Sequence, residues 1–302
     1  MKIRYDVVSD VGCVRSNNED MALVFGSMIR DTSESSMVNV TPQVRFSAIV
    51  ADGMGGYEGG EVASEFTLHS FDEMIERLPA SLDETDLRIA LNQWLEQHQL
   101  AMLVRQRETG LSQMGTTLTG IVTYEDIQLL INAGDSRVYR YRYGNLRQLS
   151  EDHSERNRLN DPSIPSNLIY NAIGIPDAFL AITNMTETFP ICDGDVYLIC
   201  SDGLNDMIED DVIQQILDKK GTAQDLVNAA KAAGGRDNCT VILLYVSIDT
   251  ESAQHTDSKD DDSNNSDNNS SDCKDDEISE ANENVDTNER KEISSERNVQ
   301  SK

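Results

Sequence analysis

Alternation of apolar and polar positions opens the chain. Residues 2–9 alternate and predict a half-buried strand, and MALVF at 21–25 predicts a second one. Residues 27–42 are polar with scattered Ser, Thr and Pro, so we expect an exposed loop there. Residues 43–51 then rise to the continuous apolar run FSAIVA, which predicts a buried strand that ends at Asp52.

Helical and extended periods follow one another along the rest of the chain. Residues 61–78 and 84–108 carry apolar positions at helical spacing, which predicts two long amphipathic helices. The later segments are predicted as strands at 115–123, 127–133, 136–143, 146–149, 180–189, 195–201 and 239–247, a polar loop or small flap at 150–167, and helices at 209–218 and 222–233. Because strands come in runs and helices in pairs, we expect an α+β fold of two mainly antiparallel sheets packed face to face with helices outside.

The C-terminal segment has a different composition. Residues 249–302 are dominated by Ser, Asn, Asp and Glu, with 17 acidic residues against 6 basic ones. Such a segment buries too little apolar area to offset the conformational entropy that ordering would cost. We therefore predict one folded domain at residues 1–248 and a disordered acidic tail at 249–302.

The overall charge argues against two classes of partner. The 302 residues carry a formal net charge of −29, from 54 acidic and 25 basic side chains. Nucleic acids and anionic membranes attract basic surfaces, so neither is an expected partner. No apolar run approaches the roughly 20 residues of a membrane span, and the N-terminus MKIRYDVVSD does not read as a signal peptide. With five cysteines and no CxxC spacing, we expect a cytoplasmic protein.

Several segments end with an acidic residue beside a small one. The pairs are Asp52-Gly53, Asp135-Ser136, Asp202-Gly203 and Asp237-Asn238, and Glu19-Asp20 precedes the second strand. Each pair alone is explained by a turn or a helix cap. However, apolar runs lead directly into Asp52, Asp135 and Asp202, and acids that share a cleft must bind a cation or be neutralised.

Oxygen ligands of this kind suit Mg²⁺, Mn²⁺ or Ca²⁺, so we predict a carboxylate-metal hydrolase centred on Asp52. The glycine-rich stretch after Asp52 offers a second interpretation, a dinucleotide-binding turn. Its glycines miss the G-x-G-x-x-G spacing, and the Asp52 carboxylate would repel a pyrophosphate. The metal site is therefore the preferred hypothesis.

Six stretches match one known family in order and spacing. They are SDVGCVRSNNED (9–20), VADGMGG (50–56), MGTTLTG (114–120), NAGDSRVY (132–139), CSDGLND (200–206) and GGRDNCTVI (234–242). Up to about residue 248 the chain resembles the metal-dependent serine/threonine protein phosphatases of the PPM, or type 2C, family in its bacterial form. The resemblance implies a four-layer α-β-β-α sandwich flanked by helix pairs, and it makes residues 1–248 the catalytic domain.

The resemblance also implies the roles of the site residues. The implied metal ligands are Glu19, Asp52, the Gly53 carbonyl, Asp135, Asp202 and Asp237. Asp52 would bridge two Mn²⁺ or Mg²⁺ ions in the core site, and Asp135 would share a weaker third ion. Arg15 would contact the phosphate, Asp20 would order metal-bound water, and Asn238 would help to orient the site.

The implied reaction is hydrolysis of phosphoserine and phosphothreonine on proteins by direct attack of a hydroxide that bridges the metals. The expected enzyme is a monomer that opposes a serine/threonine kinase. Met54 departs from the family pattern, since some members carry a histidine there that protonates the leaving group, and the flap is also short. We expect Thr116 and Thr117 to pack behind the metal-binding strands. A catalytically weak pseudophosphatase that only binds phosphoproteins is the alternative, and loss of a metal ligand would mark it.

Overall fold

The computed structural model describes residues 1–41, 43–54, 59–111 and 114–248. The predicted tail at 249–302 and the two glycines Gly55 and Gly56 lie outside the described residues, so the tail stays a prediction. Across the described ranges, no helix combines the length and the apolar character that crossing a bilayer requires.

The first sheet joins strands from both ends of the domain. From edge to edge its strands are β11 (Asn145–Gln148), β10 (Arg137–Arg142), β13 (Val196–Cys200), β14 (Cys239–Ser247), β1 (Lys2–Asp10) and β4 (Ser33–Asn39). Every neighbouring pair is antiparallel. The first and last strands of the domain therefore lie side by side in the middle of one sheet.

The second sheet is built from the middle of the chain and is also antiparallel. From edge to edge its strands are β12 (Ala181–Asn184), β9 (Ile127–Ala133), β8 (Leu118–Tyr124), β5 (Phe46–Ala51), β2 (Met21–Val24) and β3 (Ser27–Ile29). A separate two-stranded ribbon pairs β6 (Gly53–Met54) with β7 (Gly115–Thr116).

Both faces of the second sheet are buried, which explains the continuous apolar run that ends at Asp52. Along β5, Ala48 and Val50 face the first sheet and share a core with residues such as Val7 of β1. Ile49 and its alternate neighbours on β5 face the opposite way, into the helix layer. A strand that is covered on both faces favours apolar side chains throughout, and Ser47 is the one polar residue of β5.

Helices cover the outer faces of both sheets. The second sheet packs against α1 (Gly60–Arg77) and α2 (Glu84–Thr109), and the first packs against α5 (Asp202–Asn205), α6 (Asp210–Asp218) and α7 (Ala223–Ala232). Two short helices, α3 (Glu155–Leu159) and α4 (Met185–Thr188), lie in connections. The predicted α+β class and the four-layer α-β-β-α order are confirmed, although three helices rather than a pair cover the first sheet.

The structure corrects two segments of the predicted secondary structure. Residues 27–42 are not a loop, because they contain β3 and the edge strand β4. β4 leaves most of its side chains in solvent, so its sequence shows no apolar alternation although its backbone pairs with β1. The strand expected at 180–189 divides into β12 and α4, where the Asn184 side chain accepts a hydrogen bond from Thr186 N and begins the helix.

Candidate active site

Strand register brings the predicted acids to one end of the sandwich. In the first sheet the start of β14 pairs with the end of β1 and with the end of β13, which gathers the loop 11–20, Asp202 and Asp237. In the second sheet the end of β5, the start of β8 and the end of β9 are adjacent, which gathers Asp52 and Asp135. Charges from both sheets act on the Asp52 carboxyl, so the two groups surround one space.

Asp52 is held by its main chain from the neighbouring strand. Its N–H donates to Thr117 Oγ1 at 2.9 Å, and its carbonyl accepts from Thr117 N at 2.9 Å and Thr116 Oγ1 at 3.0 Å. Thr117 Oγ1 also lies 2.7 Å from Ser136 Oγ, beside Asp135. The predicted structural role of the MGTT motif is confirmed, because its threonines fix the two acid-bearing strand ends to each other.

Gly53 has no room for a side chain. A Cβ on Gly53 would lie 2.2 Å from the Gly60 carbonyl oxygen, and a Cβ on Gly60 would lie 2.8 Å from Glu19 Cδ. The Gly53 N–H donates to the Glu19 carbonyl at 3.2 Å. The beginning of α1, the ribbon strand β6 and Glu19 therefore pack backbone to backbone, which only glycine allows.

Asn238 fastens the loop that carries Arg15 and Glu19. Its Oδ1 accepts from Glu19 N at 2.8 Å, while its Nδ2 donates to the carbonyls of Val11 at 3.0 Å and Asn17 at 2.9 Å. The side chain is 4% exposed. Asn238 therefore holds the loop 11–19 against the start of β14 through main-chain contacts.

Asp20 is fully buried at the bottom of the site. Ser201 Oγ donates to its Oδ2 at 2.7 Å, whereas its Oδ1 has no hydrogen-bond partner in the described residues. Burial, partly offset by the hydrogen bond from Ser201, raises the pKa of Asp20 to about 6. The sequence analysis did not identify Ser201 as a site residue. Its only sequence signal is its position as a hydroxyl residue between an apolar strand and an acid.

The strand-end carboxyl groups repel one another. Burial first, and then the charges of Asp20, Asp202, Asp135 and Asp237, raise the pKa of Asp52 well above its ordinary value. Burial and the charges of Asp135 and Asp237 do the same to the pKa of Asp202. Burial also raises the pKa of Asp135 to about 7. Such a group of acids is stable in its ionised form only beside positive charge.

The acids fit a divalent cation site that uses oxygen ligands. Asp202 Oδ1 and Asp20 Oδ1 are buried without a hydrogen-bond partner in the described part of the chain, as expected for oxygens that serve a cation. Within the described ranges no three His, Cys, Asp or Glu side chains converge as the ligands of a single ion would. Side chains alone therefore do not complete a site for one ion in the described ranges, and hard cations fill such a coordination sphere with water and carbonyl oxygens.

Arg15 and Asp237 form the outer edge of the site. Arg15 Nη2 donates to Asp237 Oδ2 at 2.7 Å, with side chains that are 50% and 35% exposed. Asp237 Oδ1 also accepts from Asn238 N at 2.8 Å. Arg15, the predicted phosphate-binding residue, and Asp237, a predicted metal ligand, are therefore paired with each other at the solvent-exposed edge of the site.

The base of the short flap is fastened to the Asp135 loop. His153 N donates to the Gly134 carbonyl at 2.9 Å, and Gly134 N donates to His153 Nδ1 at 3.2 Å. Asn171 Nδ2 lies 2.9 Å from the same ring nitrogen. His153 therefore fixes the residue before Asp135 and is a buried support of the site.

A family model described as protein phosphatase 2C matches residues 26–229. The chain belongs to the protein phosphatase 2C family. Among its relatives, the serine/threonine phosphatase stp of Listeria monocytogenes serotype 4b is 29% identical over 253 residues, which cover 78% of this chain and 93% of that protein. The serine/threonine protein phosphatase PstP of Mycobacterium tuberculosis is 32% identical over 258 residues, 81% of this chain but 45% of PstP.

Solved structures of phosphatases share the fold. The structure of the S. agalactiae serine/threonine phosphatase superposes with a TM-score of 0.65 at 26% identity, over 81% of this chain and 99% of that one. The catalytic domain of PstP in complex with two manganese ions gives 0.61 at 29% identity, over 82% and 100%. The predicted family, fold and enzyme class are confirmed, and the chain is a serine/threonine phosphatase of a family in which a dinuclear metal site is known. The pseudophosphatase alternative has no support.

Proposed function

We propose that this phosphatase hydrolyses phosphoserine and phosphothreonine on proteins with two Mn²⁺ or Mg²⁺ ions held by the carboxylates at one end of its sandwich. The observation that supports this most directly is the set of mutually repelling acids at one end of the sandwich, with buried carboxylate oxygens that lack a protein partner. The residues proposed as ligands of the two ions are Glu19, Asp52, the Gly53 carbonyl, Asp202 and Asp237. Asp52 is proposed as the central ligand, because the charges of acids from both sheets act on its carboxyl group.

Bound divalent ions supply acidity to water and neutralise charge on phosphoryl oxygens. The chain itself contributes orientation. Asp20, anchored by Ser201, offers a buried carboxylate oxygen that can accept a hydrogen bond from the attacking water. Asn238 keeps the loop 11–19 in place while substrate binds.

Arg15 is proposed to bind the phosphate. Its exposed guanidinium reaches over the edge of the site, and its planar fork can donate to two phosphoryl oxygens at once. In the structure that fork is paired with Asp237. If Asp237 binds a cation, it no longer needs Arg15 as its counter-ion, and the guanidinium is free for the substrate.

Proton donation and the third ion are the finer parts of the proposal. The Met54 thioether carries no proton, so the leaving oxygen is proposed to take its proton from water. Asp135, which acts electrostatically on Asp202, is proposed to share a weaker third ion with it. We further propose a cytoplasmic monomer that opposes a kinase, with residues 1–248 as the catalytic domain and 249–302 as a disordered tail.

The decisive assay compares hydrolysis of p-nitrophenyl phosphate and of a phosphothreonine peptide by the full chain. Activity is expected with Mn²⁺. It is expected to disappear in EDTA, which removes the ions, and in Asp52→Asn, which removes a carboxylate proposed to hold them. Undiminished hydrolysis in EDTA or in Asp52→Asn would contradict the metal mechanism. Absence of hydrolysis of the phosphopeptide under every condition would revive the pseudophosphatase alternative.

A further inference from the structure

The main chain of Glu19 and Asp20 is fully hydrogen-bonded although it belongs to neither a helix nor a strand. Glu19 N donates to Asn238 and Asp20 N to Asn18. The Glu19 carbonyl accepts from Gly53 N and, at 2.6 Å, from Ser64 Oγ. The carbonyl of Asp20 accepts from the side chain that follows β3, Arg30, at 3.0 Å.

Arg30 joins this segment to the first turns of α1 with a single guanidinium. Its Nε donates to the Asp20 carbonyl, and its Nη2 donates to the Glu61 carbonyl at 2.8 Å and to Ser64 Oγ at 2.9 Å. Its Nη1 pairs with Glu65 at 3.1 Å, and the Arg30 side chain is only 18% exposed. Every nitrogen of the fork therefore has a partner.

We propose that Arg30 is a positioning residue for the metal ligand Glu19, an inference that rests on the proposed function. Arg30 and Ser64 clamp the two carbonyls of Glu19–Asp20 to α1, and Gly60 at the start of the same helix lies directly against the Glu19 carboxyl group. The clamp thus fixes where the Glu19 carboxylate stands relative to Asp52. A ligand that is held in place loses less freedom when it binds an ion, and partners that orient ligands typically account for about 10–100-fold in metal affinity.

The geometry requires arginine. The planar fork meets a carbonyl on the loop and two acceptors on α1 at fixed angles, whereas a lysine ammonium is a point charge that reaches one of them well. An alternative role is general stabilisation of α1. The chain offers a matched control at the other end of that helix.

Arg45 is that control. Its Nη1 donates to the carbonyl of Leu78, the residue that directly follows α1, at 2.5 Å, and its Nη2 donates to the Pro79 carbonyl at 3.0 Å. Its side chain is 19% exposed and also pairs with an acid, Glu125. Arg45 therefore resembles Arg30 in burial and chemistry but lies away from the metal ligands.

The experiment titrates Mn²⁺ into the EDTA-stripped full chain by calorimetry, in wild type, Arg30→Met, Arg30→Lys and Arg45→Met. Arg30→Met is expected to bind Mn²⁺ about tenfold more weakly, Arg30→Lys to fall between it and wild type, and Arg45→Met to stay within about twofold of wild type. Hydrolysis by Arg30→Met is expected to approach the wild-type rate at saturating Mn²⁺. Equal Mn²⁺ affinity in Arg30→Met and wild type, or equal weakening in Arg30→Met and Arg45→Met, overturns the proposal.

Ser64→Ala decides the matter if Arg30→Met does not fold. It removes one donor to the Glu19 carbonyl with little change of volume, and a several-fold loss of Mn²⁺ affinity is expected. Wild-type affinity in both Ser64→Ala and Arg30→Lys overturns the proposal. If the wild-type chain itself binds no Mn²⁺, the proposed function fails, and the inference that rests on it fails with it.

Discussion

The carboxylates at strand ends and the arginine–aspartate pair on the loops belong to one site but are held in opposite ways. Asp52 and Asp202 follow buried strands, where burial and then the charges of neighbouring acids raise their pKa values well above normal. Arg15 and Asp237 neutralise each other at 2.7 Å in partial contact with solvent. The sheets therefore fix the strand-end carboxyl groups in positions where ionisation is unfavourable. The loops instead carry an ion pair, Arg15–Asp237, whose two side chains can change partners.

The largest expected effect on stability comes from Asp52. In EDTA, Asp52→Asn is expected to raise the free energy of unfolding by about 3 kcal/mol, the scale of an uncompensated buried charge. With Mn²⁺ the order should reverse, because only the wild type gains stability from binding the ion. Urea unfolding of both proteins with and without Mn²⁺ measures the difference.

Asp126→Asn provides the control for that measurement. Asp126 is an exposed acid in the turn between β8 and β9, so its removal should change neither the metal-free nor the Mn²⁺-bound stability appreciably. A metal-free Asp52→Asn less stable than wild type would show that the strand-end acids are not under the repulsion described above.

A pH series on Asp135→Asn tests the same repulsion on a second strand end. Burial raises the pKa of Asp135 to about 7, so the folded state keeps a proton that the unfolded state releases near pH 4. The wild type is therefore expected to lose stability relative to Asp135→Asn as pH rises from about 4 to 7, by a few kcal/mol in total. Thermal unfolding in EDTA at several pH values measures the loss, and parallel curves for the two proteins would refute it.

Ser201 and Ser47 allow a comparison of the stability contributed by a buried hydroxyl that donates to an acid and by one that does not. Ser201→Ala removes the donor to Asp20 and the acceptor of Thr240 N at 3.0 Å, and it should cost about 1–3 kcal/mol of unfolding free energy. Ser47 is equally buried in β5, but its Oγ has no hydrogen-bond partner among the described residues. Ser47→Ala should therefore cost clearly less, and equal losses by urea unfolding would contradict the assigned role of Ser201.

The same contrast explains how far the sequence predicts the molecule. Apolar runs that lead into acids predict the strand ends, because a strand buried on both faces leaves its first polar residue at the edge of the sheet. The loop 11–20 has no such period, and its shape depends on side chains far away in sequence, as Asn238 shows. The clamp by Arg30 was equally invisible, since nothing in the sequence of β3 relates it to α1. Edge strand β4 was missed because its mostly exposed residues show no apolar alternation. Only its backbone pairing with β1 makes it a strand.

The smallest effect on stability is expected at the loop pair. Arg15→Met should change the free energy of unfolding by less than about 1 kcal/mol, because an ion pair with 50% and 35% exposed side chains is well hydrated when broken. Hydrolysis of a phosphothreonine peptide should nevertheless fall by about 100-fold, the usual cost of losing a donor to transition-state charge. Urea unfolding and steady-state kinetics on the same preparation test both parts. A loss of several kcal/mol with intact hydrolysis would mean that Arg15 serves the fold, and the two halves of the site would not differ as described.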